Sequence, residues 1–336
     1  MLSKIIDKTL NPGASASRPA KRYDYDIIGD VHGYANELEI LLKQMDYREI
    51  NGVYLHDDRK AVFVGDFTCR GPETRRAINI VRNMVEHETG YAILGNHELN
   101  AIANFTKSKE WKKPFKQATG SSKKVMDRIR EEYIYDKAQL KTDIKWLRQL
   151  PFSLDFGKFR VVHAYWSDEH LNLLKESRKR GKLTKRVLSK MFAPDTKLAM
   201  AMRQTTRGIE LNLPHDLLIK DHRNIRRTNF RMKWWDSPKE KTFEQVSYGN
   251  KFTLPHYTIP REVLPVFDVY PTKAPVVFMG HYCVEQKNMI PAANVCCVDN
   301  CAANGGYLAA YRWNGELPLK LTNFVFQKKL VSSEGR

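Results

Sequence analysis

Three short polar blocks, each set directly after an apolar run, constrain this chain more than any other feature. Gly29-Asp30-Val31-His32-Gly33 follows Tyr25 to Ile28, and Gly65-Asp66-Phe67-Thr68-Cys69-Arg70-Gly71 follows Ala61 to Val64. Gly95-Asn96-His97-Glu98 follows Tyr91 to Leu94. A short apolar run ending in glycine and polar side chains reads as a buried strand running into a loop. Aspartate, histidine and asparagine on neighbouring strand tips suit hard or borderline metal ions. Arg70 adds a planar fork suited to a phosphate.

Helical patterns separate these strands. A helix is expected from about Tyr34 to Met45, with Leu38, Leu41, Leu42 and Met45 on one face. Pro72 suits the first turn of a second helix, whose stripe is Ile78, Val81 and Val85. His97 opens a third. Strand, loop and helix in alternation imply parallel pairing with covering helices, an α/β architecture. Reactive loops then belong at the carboxyl ends of the strands, where all three blocks sit.

Strand signals return after a lysine-rich, helix-patterned stretch from Thr106 to Leu150. Phe159 to Val162 leads into His163, and Pro275 to Met279 leads into Gly280-His281. Asn294 to Val298 and Tyr307 to Trp313 read as a hairpin around Asn304-Gly305-Gly306. We expect one domain over residues 23–330, with basic insertions near 106–150 and 168–273, behind a mobile tail at 1–22.

No apolar run nears the roughly 20 residues needed to span a bilayer, so no membrane partner is expected. The N-terminal stretch carries Asp7 in its only apolar segment, which is too short for a secretory signal. A cytoplasmic location is the expectation. The five cysteines lack paired zinc spacing, and reduced thiols are expected. The net charge of +18 implies an attractive field for anions. Its basic residues cluster at Lys107 to Lys124, Lys175 to Lys190 and Arg223 to Lys233. These read either as solvated helix faces or as a funnel for a nucleotide or nucleic acid.

The blocks and the two later strand tips supply six candidate metal ligands: Asp30, His32, Asp66, Asn96, His163 and His281. Two metals need a bridging carboxylate, and Asp66, from the central block, is the natural one. Water held between two cations loses a proton near neutral pH and becomes a nucleophile. His97, next to Asn96, is placed to protonate a leaving oxygen.

The ordered set, spanning Asp26 to about Asp299, resembles the calcineurin-like metallophosphoesterases. Within them it resembles the branch holding the Ser/Thr protein phosphatases and the symmetrical diadenosine tetraphosphate hydrolases. The resemblance implies a four-layer α-β-β-α sandwich of two mixed sheets with helices outside. It implies a binuclear centre of Mn, Fe or Zn, with Mn favoured. By the resemblance Asp30, His32 and Asp66 hold one ion, and Asp66, Asn96, His163 and His281 hold the other. His97 is then the acid and Arg70 a phosphate clamp. Thr206-Arg207-Gly208-Ile209-Glu210 resembles a segment of bacterial members, which makes Arg207 the candidate second phosphate arginine. Glu98 is a candidate support for the ligands.

Two departures stand out. The family usually has aspartate directly before the block arginine, paired with the catalytic histidine, and here that position is Cys69. Either another carboxylate fills in, or the substrate has a good leaving group; redox control through Cys69 is a third reading. The glycine pair expected after His163 is replaced by Ala164-Tyr165-Trp166, and core packing is the better reading of Trp166.

The resulting expectation is a binuclear-metal phosphohydrolase acting on phosphate esters or anhydrides, tilted toward nucleotide or nucleic-acid substrates. A Ser/Thr phosphoprotein phosphatase is the alternative. A non-catalytic nucleic-acid-binding protein on the same fold is a second.

Overall fold

Two mixed β-sheets carry the apolar runs, and the polar blocks project from one edge of them. The structure, a computed structural model, describes residues 23–110, 112–214, 219–220 and 226–330. The expected tail at 1–22 lies outside the described residues. The sheet strands are, in chain order, β1 (Asp24–Ile28), β2 (Arg59–Phe63), β3 (Gly90–Ala92), β4 (Ser153–Asp155) and β5 (Phe159–Val162). They continue with β6 (Val276–Met279), β7 (Val295–Cys297), β8 (Asp299–Asn300), β9 (Tyr307–Trp313) and β10 (Phe324–Lys328).

In the first sheet β1, β2 and β3 run parallel, with Ile28 opposite Phe63 and Phe63 opposite Ala92. That register brings the three blocks out side by side. β9 closes the other flank of β1 and also pairs antiparallel with β8 and β10. In the second sheet β5, β6 and β7 are parallel and β4 is antiparallel to β5. Phe278 faces Val161, so His163 and His281 leave the sheet at the same edge. Aromatic side chains join the sheets: Phe278 lies 5.3 Å from Tyr311 and 5.6 Å from Trp313 between ring centroids. Burying such rings dominates the energetics of a core like this.

Helices α1 (Ala35–Gln44) and α2 (Thr74–Glu86) cover the first sheet. α2 buries Ile78, Val81 and Val85, the stripe visible in sequence, together with Ala77 and Met84. α3 (Asn96–Phe105) begins on a ligand candidate, and α4 (Gly120–Glu132) and α5 (Lys137–Leu147) follow it. α6 (Asp168–Ser177), α7 (Lys185–Met191) and α8 (Lys197–Arg207) build the insertion. Sheets inside and helices outside make the expected mixed α/β sandwich. No helix among the described residues is long and apolar enough to cross a membrane.

Three expectations are corrected. Val295–Cys297 is not one arm of a hairpin with Tyr307–Trp313, because it pairs with β6 in the second sheet. The chain changes sheets at Val298, and only Asp299 and Asn300 turn back onto β9. Continuous apolar character over Asn294 to Val298 hides this, since both sheets want it. The lysine-rich stretch is not helical from Thr106: a bridge between Lys107 and Pro114 precedes α4. Proline disfavours helix at the residue before it. Finally, Cys283 and Cys301 are disulfide-bonded, against the expectation of reduced thiols. Their spacing of 18 residues is no motif; the fold brings both to the Asp299 carboxylate, which accepts from Cys283 N–H at 2.7 Å and Cys301 N–H at 2.9 Å. Cys69, Cys296 and Cys297 are free and buried.

Candidate metal centre

The site is built from loop residues in unusual backbone states. His32, Asp66 and His281 all have positive φ, at 53°, 49° and 67°. A non-glycine residue there costs of order 1–3 kcal/mol, and such strain concentrates at functional sites. Glycines allow the crowding. A Cβ at Gly280 would overlap Asp30 Oδ1, and one at Gly95 would overlap Asp66 Oδ1.

Asp66 is the hub. Its carboxylate lies 3.4 Å from His163 Nε2 and 3.9 Å from His97 Nε2. Ligand atoms of His32, Asp66 and His97 lie within 4.8 Å of one another, as do those of Asp66, His163 and His281. Asp66 is common to both groups. Asp30 stands 3.9 Å from His32 Nε2, and its two oxygens accept from His281 N–H at 3.3 and 3.2 Å. His163 Nδ1–H donates to Val64 O at 2.8 Å, which turns Nε2 toward Asp66 and places it 3.3 Å from Asn96 Oδ1. All six sequence-derived candidates therefore converge.

Electrostatics fit a cation here. Burial lowers the pKa of His32, helped by His97 and Arg70, and lowers that of His281, helped by Arg231 and His163. Burial and the nearby Asp299 raise Asp30 well above the usual carboxylate range. Burial opposes charge on Asp66 too, but His163 and His97 overcome it and hold that carboxyl low. His163, against its own burial, is raised to about 10 by Asp66. Its proton occupies electrostatic ground that a metal ion would fill. Among the described residues, the buried His32 Nδ1 has no hydrogen-bond partner. Neutral imidazoles around buried carboxylates form a donor set suited to divalent transition metals.

Glu98 supports this arrangement from behind. It accepts from Asp66 N–H at 2.7 Å, Gly95 N–H at 2.9 Å, Thr68 N–H at 3.0 Å and Thr68 Oγ1 at 2.7 Å. Burial and Asp66 still raise it to about 7.

His97 has no carboxylate of its own. Among the described residues, the carboxylate within 4.0 Å of its ring nitrogens is Asp66. Burial lowers its pKa to about 4, with Asp66 opposing and Arg70 and Arg207 assisting. Cys69 packs with Met126, Ile129 and Tyr133, and its Sγ contacts Thr68 Oγ1 at 3.5 Å. Burial pushes this thiol up, which leaves it a poor nucleophile and does not favour redox control. We expect Cys69→Asp to destabilise the fold by about 2–5 kcal/mol, because a carboxylate in that apolar contact lacks a partner. Chemical denaturation checks this; an unchanged midpoint would mean the new side chain finds a partner.

Two residues of this region were missed in sequence. Arg231 donates to His281 O at 3.3 Å from a short strand, Asn229–Arg231, and nothing in its basic neighbourhood marks it out. Asp299 holds the backbone of both disulfide cysteines. It follows an apolar run as the other blocks do, and that rule could have found it. Arg70, Arg128, Arg227, Arg231 and Lys251 line a cavity of about 740 Å³ that opens onto Asp30, His32, Asp66 and His281. Arg207 lines a separate cavity beside Asn96. Tyr165 and Trp166 are both buried.

The asymmetrical bis(5′-nucleosyl)-tetraphosphatase PrpE of Oceanobacillus iheyensis is 37% identical over 155 residues, covering 46% of this chain and 60% of that protein. PrpE of Geobacillus sp. is 45% identical over 73 residues, 21% of this chain and 30% of that protein. The chain thus spans 60% or less of these curated relatives. A serine/threonine phosphatase from Saccharomyces cerevisiae aligns over 94% of this chain and 82% of that one, at 14% identity and a TM-score of 0.46. A cold-active protein-tyrosine phosphatase of a Shewanella species aligns over 95% and 87%, at 14% identity and the same TM-score. Neither distant likeness bears on substrate. The family described as calcineurin-like phosphoesterase matches residues 25–285. With that match over most of its length, the chain belongs to the calcineurin-like phosphoesterases.

Proposed function

We propose that the protein is a binuclear-metal phosphohydrolase that cleaves phosphoanhydride bonds of nucleotides. The observation that carries this reading is Asp66, which lines a basic cavity and is shared by two clusters of potential ligand atoms, one with His32 and His97 and one with His163 and His281. Asp30, His32 and Asp66 would hold one divalent transition-metal ion, and Asp66, Asn96, His163 and His281 the other, with Mn the favoured metal. Bound there, the pair supplies Lewis acidity toward phosphoryl oxygens and activates water.

The remaining roles belong to side chains. Arg70 forks onto the reacting phosphate, and Arg231 adds a second fixed positive charge. The cations of the larger cavity take the rest of a polyphosphate chain. His97 is the proton donor. Lacking a carboxylate of its own, it suits leaving groups that need little help, and a phosphate oxygen of an anhydride is one. A seryl alkoxide is not, so the phosphoprotein reading ranks second. The nucleotide reading agrees with the activity for which the PrpE relatives are named.

A substrate panel tests it. Diadenosine tetraphosphate should turn over at least tenfold faster than a phosphoseryl peptide. Chelation should abolish turnover and also lower the thermal midpoint, since a ligand bound only to the folded state stabilises it. Full activity in a metal-free preparation would defeat the proposal.

A further inference from the structure

A second cavity opens on the far side of Asn96, and the reaction as described leaves it without a task. It has a volume of about 430 Å³ and is lined by Leu99, Phe115, Phe192 and Met202, and also by Asn96 and Arg207. Three helices and the segment before α4 make it. Asn96, Leu99 and Asn100 project from the first turns of α3, where positions three and four apart share a face. Met202, Arg203 and Arg207 do so from the end of α8. Phe192 caps α7. The wall carrying Phe115 is fixed to α3: Phe115 N–H donates to Ala103 O at 3.0 Å, and Lys116 Nζ donates to Asn100 Oδ1 at 3.0 Å.

We infer that this cavity is a nucleobase subsite, which receives the base of a nucleotide whose phosphates pass Arg207 toward the metal centre. This rests on the nucleotide reading above. Polarity supports it: Leu99 is buried and Phe115, Phe192 and Met202 are half-buried in its lining, while Lys116 and Arg203 are exposed beside the half-buried Arg207. A base offers an apolar face for Phe115 and Phe192, and its attached phosphates are anions for the arginines. Continuity supports it too. Asn96 belongs both to the candidate ligand set and to the cavity wall, which Arg207 also lines. The volume lies within the roughly 300–1,000 Å³ range of small-molecule sites. A substrate with a base at one end and a polyphosphate at the other would lie across the centre, between an apolar cavity and a basic one.

The test compares ligands with and without a base. In the holoenzyme, Kd is measured by calorimetry for methylene-bridged diadenosine tetraphosphate, which resists hydrolysis, and for inorganic tripolyphosphate. Phe192→Ala and, separately, Phe115→Ala should each reduce the preference for the dinucleotide about 5- to 100-fold. Phe192→Leu, which keeps bulk but removes the ring, serves if the alanine variant does not fold. Equal weakening of both ligands, or no change in their ratio, overturns the subsite. Selective loss of a phosphotyrosyl peptide, with the dinucleotide ratio preserved, overturns it in favour of a protein substrate. A wild-type protein that binds the dinucleotide through Phe192 but never hydrolyses it refutes the hydrolase and spares the subsite. Hydrolysis of dinucleotide and tripolyphosphate with an unaltered ratio in the variants does the reverse.

Discussion

Asp66→Asn should cost on the order of a thousandfold in kcat and lose bound metal together with it. The substitution keeps the shape of the side chain, so the loop that carries it need not change. What it removes is the negative charge placed between His163 and His97, at 3.4 and 3.9 Å. With that charge gone, the two cations proposed to share it would lose the group that offsets their mutual repulsion. The other carboxylate of the proposed set, Asp30, stands 3.9 Å from His32 Nε2 and accepts from the His281 N–H, so it is already engaged where it sits. Metal content by elemental analysis and turnover of diadenosine tetraphosphate are the two readouts. A variant retaining both would show that Asp66 does not bridge. One that keeps a single equivalent of metal and little activity would locate which half depends on the charge.

His97→Ala should divide substrates by leaving group. Removing a general acid costs typically about 10²–10⁴-fold where the departing oxygen needs a proton, and far less where it does not. We therefore expect a loss of roughly a hundredfold or more on phenyl phosphate and below about tenfold on p-nitrophenyl phosphate. Diadenosine tetraphosphate should group with the latter. Equal losses on all three would indicate that His97 acts on the phosphoryl group or the metal rather than on the leaving oxygen. Its ring, edge-on to that of His32 with centroids 4.9 Å apart, makes this a real alternative for the assay to exclude.

Much of the site could be read in the sequence because it obeys a local rule. Asp30, Asp66, Asn96, His163 and His281 each lie just past the end of an apolar strand, and parallel in-register pairing brings such positions to one edge. What sequence could not give depends on pairing between distant segments. The destination of Val295–Cys297 required knowing which of two sheets had an open edge. Arg231 reaches the His281 carbonyl only because Asn229–Arg231 pairs with Glu210–Asn212. The Cys283–Cys301 bond needed two left-handed turns, φ 55° and 67°, to meet around one carboxylate. For Cys69 the residue type was informative and its surroundings were not: the helix that encloses its sulfur lies some 50 positions later.

The sheet change at Val298 carries a mechanical consequence. Val298 N–H is bonded to Met279 O at 2.8 Å, and its neighbour Asp299 already pairs with Leu308 in the other sheet. One peptide unit thus stitches the layer bearing Asp30, Asp66 and Asn96 to the layer bearing His163 and His281. The two halves of the donor set cannot drift apart without tearing that seam, which lies in the core. Metal affinity is then not spent on ordering a loop. A metal ion held by both halves would act as a rivet through the two layers, and its removal should weaken the whole domain at once, with amides of β6 and β9 exchanging sooner in step.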